Sequence, residues 1–147
     1  IQQNIMENSP DKYWIILFRK AMYTISNLLA NKLSIHALIT GENVGQVASQ
    51  TISNIRASSE SVDIPVLRPL AGMNKEEIIN IATQIGTYNI SIEPYEDCCS
   101  FFVPPHPETK AKMNEINKLN SKLDLADLVN QAIKDIEEIN INFGDRL

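Results

Sequence analysis

Apolar residues recur at Trp14, Phe18, Ala21, Met22, Ile25, Leu28 and Leu29, a helical spacing. Ser9 suits the cap before it, Pro10 the first helical position and Asp11 the positive end of the dipole. The pattern predicts one helix from Ser9-Pro10 to about Lys32, with Arg19 and Lys20 off the stripe. The continuous apolar run Ile35 to Thr40 predicts a buried parallel strand. A loop, Gly41 to Gly45, follows at its carboxyl end. Gln46 to Ile55 reads as a helix with Val47, Thr51 and Ile55 on one face, and Arg56 to Ser61 as a polar, mobile link. Ile64 to Arg68 predicts a second strand, with Pro65 tolerated near its start because Pro cannot donate to a ladder.

Asn74 with Glu77 three residues on is a capping-box pattern. It opens a helix with Ile78, Ile79, Ala82 and Ile85 on one face, and Gly86 stops it. From Thr87 to Pro107 the prolines break both helix and strand, and little regular pattern remains. Glu108 to Leu119 and Asp124 to Glu138 predict two helices broken near Asn120-Ser121, the second packing Ile133, Ile136 and Ile139. Helix, strand, helix, strand, helix is the rhythm of an α/β fold, a parallel sheet with flanking helices. Two strands cannot make a sheet that covers both faces with helices. The remaining strands are expected upstream or in a partner chain.

Composition narrows the class. The chain has 147 residues, 44% hydrophobic and 21% charged, the balance of one globular domain. Thirteen Lys+Arg against eighteen Asp+Glu leave a net charge of −5, a poor non-specific nucleic-acid surface. Trp14 to Phe18, the longest clean apolar run, is too short to span a bilayer. The first residue is Ile1 rather than Met, without a targeting pattern. The expectation is a piece of a longer cytoplasmic protein with no membrane association. Cys98 and Cys99 are adjacent, and adjacent cysteines seldom bridge each other. With only His36 and His106 as further soft ligands, no metal site is expected.

Open parallel sheets bind ligands beyond the carboxyl ends of their strands. Two loops stand there. TGENVGQVASQT (residues 40–51) offers glycines for close backbone approach and Ser49 and Gln50 as hydrogen-bonding side chains; a plain turn before a helix is the competing reading. LRPLAGMNK (67–75) presents Arg68 and Lys75. Lys75 at a helix N-terminus is unfavourable unless an anion binds there; a solvated lysine is the alternative. Arg19 reads either as a snorkelling surface residue or as a phosphate clamp. The acidic lead-in Tyr95-Glu96-Asp97 would raise a thiol pKa, so the cysteines suit a persulfide acceptor or resolving thiol, or are inert. His106, in a proline cluster, reads as structural.

TGENVGQVASQT, LRPLAGMNKEEII (67–79), IGTYNIS (85–91) and PYEDCC (94–99) occur together and in order. The chain thereby resembles the tRNA 4-thiouridine synthetases, also called tRNA or thiamine-biosynthesis sulfurtransferases, from about Tyr13 to Thr109. The resemblance implies the carboxyl-terminal portion of a PP-loop ATP-pyrophosphatase domain. It implies adenylation of a tRNA uridine, then displacement of AMP by persulfide sulfur, giving 4-thiouridine, with sulfur also routed to the thiamine thiazole. ATP with Mg²⁺ and a persulfide donor are the implied cofactors. Implied partners are tRNA and a cysteine desulfurase, and a homodimer is one state it allows. By position, Arg19, Gly41 and Gln50 match ATP contacts, and Lys75 a catalytic lysine. Cys98, 23 positions after Lys75, matches the sulfur-handling cysteine, with Cys99 as the alternate.

Several departures qualify the match. Asn74 stands where the family usually carries Asp, which puts a carboxylate role there in doubt. The Ser-Gly-Gly-x-Asp-Ser loop and the upstream THUMP and ferredoxin-like regions are not in this sequence, nor is a rhodanese extension. The expectation is a fragment inactive alone. Two alternatives stand beside it: a non-enzymatic half-site module that pairs with a separate PP-loop chain, and another PP-loop ATP-pyrophosphatase.

Overall fold

A computed structural model describes residues 1–94, 104–140 and 142. Seven helices are described: α1 (Gln2–Asn8), α2 (Trp14–Lys32), α3 (Ile52–Ser59), α4 (Lys75–Gln84), α5 (Tyr88–Ser91), α6 (Met113–Lys122) and α7 (Leu125–Lys134). Strands β1 (Leu38–Ile39) and β2 (Val66–Leu67) pair in parallel, Leu38 with Val66 and Ile39 with Leu67. Leu38 N–H donates to Pro65 O and Thr40 N–H to Leu67 O, at 2.9 and 3.0 Å. The expected α/β fold with two parallel strands is present, with α3 in the crossover between them, but each strand is only two residues long and β1 is not buried as expected, since Ile39 is exposed.

The central helix is α2, against which α1, α3, α6 and α7 pack. Ile5, Ile15, Ile16, Leu17, Ala57, Ile116, Leu123 and Leu125 form the core between them. Its buried face differs from the expected stripe: Met22 and Leu28 are exposed, whereas Lys20 and Asn27 are buried. The first half of α2 is apolar nearly all round, so periodicity alone does not select a face. Partners admit the two polar residues. Lys20 Nζ lies 2.8 Å from Glu60, and the Asn27 side chain accepts from Asp63 N–H at 3.3 Å.

Other boundaries also move. Ser9 does not cap α2 but closes α1, a helix the polar segment QQNIMEN does not advertise; its hydroxyl donates to Ile5 O. Pro10 is extended, and a 3-10 turn over Asp11–Tyr13 leads into α2. A second 3-10 turn, Ala48–Gln50, replaces the first part of the expected Gln46 to Ile55 helix, and Thr51 caps α3 through Asn54 N–H. Residues 56–59 are not a polar link but the end of α3, with Ala57 and Ser58 buried, and an exposed turn follows at Glu60 and Ser61. The last two helices break at Asp124 (φ +49°), a few residues past the expected break, and the second buries Leu125 and Val129. Ile136 and Ile139 lie beyond it, exposed. The Asn74–Glu77 capping box forms as predicted, and Gly86 ends α4 at φ +77°. Among the described residues no helix is long and apolar enough to cross a membrane.

Candidate functional site

The two loops at the carboxyl ends of β1 and β2 are tied into one surface. Val44 N–H donates to Ala71 O at 3.1 Å, and the Asn43 amide donates to Leu70 O at 3.0 Å and to Met73 O. Within the first loop the Gln50 side-chain oxygen accepts from Asn43 N–H at 2.9 Å, and Gly45 N–H donates to Gln50 O at 2.9 Å. Gly45 has φ +80°, a conformation that favours glycine.

A cleft of about 230 Å³ opens between α2 and this surface. Arg19, Tyr23 and Ser26 line it from α2, Thr40, Gly41 and Glu42 from just after β1, and Gln50 from the turn before α3. Three of the residues expected to contact ATP (Arg19, Gly41 and Gln50) thus share one cleft. A Cβ on Gly41 would meet nothing within 4 Å, and its φ is not positive. The glycine is not demanded by backbone conformation, and it borders open space where a ligand can come close. The Arg19 guanidinium donates through one Nη to Glu42, while its Nε is buried without a hydrogen-bond partner.

Glu42 is the electrostatic centre of the cleft. Its carboxylate accepts from Arg19, from Tyr23 Oη at 2.5 Å, from Arg68 Nε at 2.6 Å and from Thr40 Oγ1 at 3.2 Å. Burial pushes its pKa up, but the hydrogen bonds from Tyr23 and Arg68 and the charges of Arg19 and Arg68 outweigh burial. The group is held below the ordinary carboxylate value. Burial and the bond to Glu42 raise the Tyr23 hydroxyl.

Lys75 lies in a second, neighbouring cleft of about 400 Å³, lined by Asn43 to Gln46 and by Ala71 to Lys75. It is the first residue of α4, as the sequence predicted, and its side chain is exposed. Asn43 joins the two clefts, lining the second and touching Gln50 of the first. Cys98 and Cys99 lie outside the described residues. Among the described residues no group of three His, Cys, Asp or Glu side chains could hold a metal ion. Sequence reasoning missed Glu42, Tyr23 and Asn43. An acid in a Gly-rich loop reads as solvated; its burial depends on arginines 23 positions before and 26 after it.

Parallel strands with a cleft beyond their carboxyl ends define an α/β protein with the ligand position of an open parallel sheet. The family described as thiamine biosynthesis protein (ThiI) matches residues 1–125, and the chain belongs to it. Among curated relatives, a "Probable tRNA sulfurtransferase" of Halothermothrix orenii is 47% identical over 146 residues, 98% of this chain and 37% of that protein. Another of the same name, from Acetivibrio thermocellus, is 46% identical over 96% of this chain and 36% of its own length. A solved structure, "Crystal structure of a 4-thiouridine synthetase - RNA complex with bound ATP", is 41% identical with a TM-score of 0.84, over 91% of this chain and 35% of that one. The chain therefore spans little more than a third of the length of these relatives.

Proposed function

We propose that this chain forms one wall of the active site of a tRNA sulfurtransferase that makes 4-thiouridine at the expense of ATP. The convergence of Arg19, Gly41 and Gln50 on one cleft beyond β1 carries this reading. The cleft fits part of a nucleotide: about 230 Å³ is below the roughly 300–1,000 Å³ of complete small-molecule sites. Gly41 would admit a close backbone approach, Gln50 would offer its amide N–H groups, and Arg19 would meet phosphate oxygens. In the reaction, uridine O4 is adenylated with loss of pyrophosphate, and the terminal persulfide sulfur attacks C4 as AMP leaves with O4; a second thiol then attacks the carrier sulfur of the resulting disulfide, which releases 4-thiouridine and leaves a disulfide that an external thiol reductant reopens. Mg²⁺ would arrive on the phosphates, since the described residues offer it no cluster. Lys75, beside the α4 N-terminus, would hold developing negative charge on phosphate or leaving oxygen. Cys98, or Cys99 in its place, would handle the sulfur delivered by a cysteine desulfurase. The same persulfide is the proposed source for thiazole synthesis.

The test uses a full-length tRNA sulfurtransferase carrying these 147 residues. It is incubated with unmodified tRNA, ATP and a desulfurase-loaded sulfur source, and digested tRNA is read for the near-ultraviolet absorbance of 4-thiouridine. Product is expected, with loss of about a hundredfold or more in rate in Lys75→Ala, the scale of a transition-state charge contact. Cys98→Ser should abolish it; product that survives moves the sulfur role to Cys99 or to an external persulfide. No product, with ATP and tRNA both bound, would overturn the reading.

A further inference from the structure

The ATP reading leaves Glu42 unused, although its side chain is only 4% exposed and lies in the cleft wall. Its two oxygens divide their partners. Oε2 is tied to the scaffold by Tyr23 Oη, Arg68 Nε and Thr40 Oγ1. Arg68 Nη2 in turn reaches the Tyr23 hydroxyl at 3.4 Å. Oε1 receives Arg19. An ionised carboxylate only accepts hydrogen bonds, so a surrounding made of donors is built for the anion. The anchored oxygen fixes the carboxylate, and the other then holds one Nη of the Arg19 guanidinium by a charge-assisted hydrogen bond.

We infer that Glu42 is a positioning residue, which holds the Arg19 guanidinium at the cleft wall and acts on bound ATP only through Arg19. The inference rests on the ATP reading above. A direct effect of Glu42 on ATP would have the opposite sign, because a carboxylate beside a polyphosphate repels it. Glu42→Gln separates the two roles. The amide keeps the volume, loses the charge, and turns one acceptor into a donor facing donors.

The experiment measures ATP affinity by calorimetry in the full-length enzyme carrying these residues, without tRNA. Glu42→Gln should raise the Kd about tenfold, the size of one charge-assisted hydrogen bond. Arg19→Met should raise it at least as much. In the Arg19→Met background, Glu42→Gln should change the Kd by less than about twofold, because coupled residues do not add. Glu42→Asp keeps the charge but withdraws it by one methylene. It should lie between wild type and Glu42→Gln, and it decides the matter if the Gln variant fails to fold. A Kd unchanged or lowered by these Glu42 variants overturns the inference, as do effects that add in the double variant. If Arg19→Met leaves ATP binding intact, the nucleotide reading of the wall fails and the positioning role with it; if only the Glu42 variants are silent, the nucleotide reading stands.

Discussion

The Glu42 carboxylate is nearly sealed from water and touches only donors, so its charge and the fold are linked. Its folded pKa lies below the ordinary value, with burial opposing and the Tyr23, Arg68 and Arg19 interactions prevailing. A depressed folded pKa contributes stability that is complete above the unfolded value, about 4.3. That contribution is lost as pH falls through the folded pKa. Urea unfolding of the chain should show wild type losing more stability between pH 7 and pH 3 than Glu42→Gln does. Equal losses would show that the carboxylate is not linked to folding. At pH 7, Glu42→Gln should be destabilised by about 2–3 kcal/mol, since two arginines lose a charged acceptor while keeping some solvent. Glu60, whose pKa the bond from Lys20 lowers, and Glu115, lowered chiefly by the bond from Tyr13, titrate in both variants and cancel. Gly41, Gln50 and Lys75 were legible as candidates because each sits in a motif or at a helix or strand end, and Arg19 because it is a cation within a largely apolar helix. Glu42 was not, because its partners come from α2 and from beyond β2, and no local pattern announces a long-range ion cluster.

At the scale of elements, two asparagines show how environment sets the worth of one side chain. Asn54 is fully buried at the start of α3. Its amide donates to Ala48 O at 2.7 Å and Glu108 O at 2.6 Å, and its oxygen accepts from Ala111 N–H at 3.0 Å. It thus ties α3 to the segment that leads into α6. Asn54→Ala should cost about 2–4 kcal/mol in urea unfolding, because three backbone groups lose partners and at least one is buried. Asn74 is exposed and only caps α4. Asn74→Ala should cost about 1 kcal/mol, and Asn74→Asp should stay within about 0.5 kcal/mol of wild type, because Asp caps as well as Asn. A larger loss in Asn74→Asp would mean that this side chain does more than cap. The α4 box was readable because all its parts lie within four residues. The buried face of α2, the helix α1 and the αL break at Asp124 were not, because tertiary packing decides them.

For the whole molecule, the decisive feature is how little sheet the described residues hold. Two paired residues per strand leave Ile39 73% and Leu67 52% exposed, so the sheet beneath the cleft is open on its apolar side. The cleft of about 230 Å³ is open too, lined by Arg19 and Gln50, with Lys75 in the neighbouring hollow. A ligand held from one side keeps the entropic penalty of binding but gains only part of the contacts. Micromolar affinity needs about −8.2 kcal/mol and millimolar about −4.1. Half an enclosure suits the second figure. Calorimetry on the 147-residue chain alone should therefore give a Kd for ATP in the millimolar range or no measurable heat. Micromolar binding would mean that Arg19, Gly41 and Gln50 already make a complete site, and the one-wall reading would have to be abandoned. Weak binding that disappears in Arg19→Met would place the residual affinity in this cleft rather than beside Lys75.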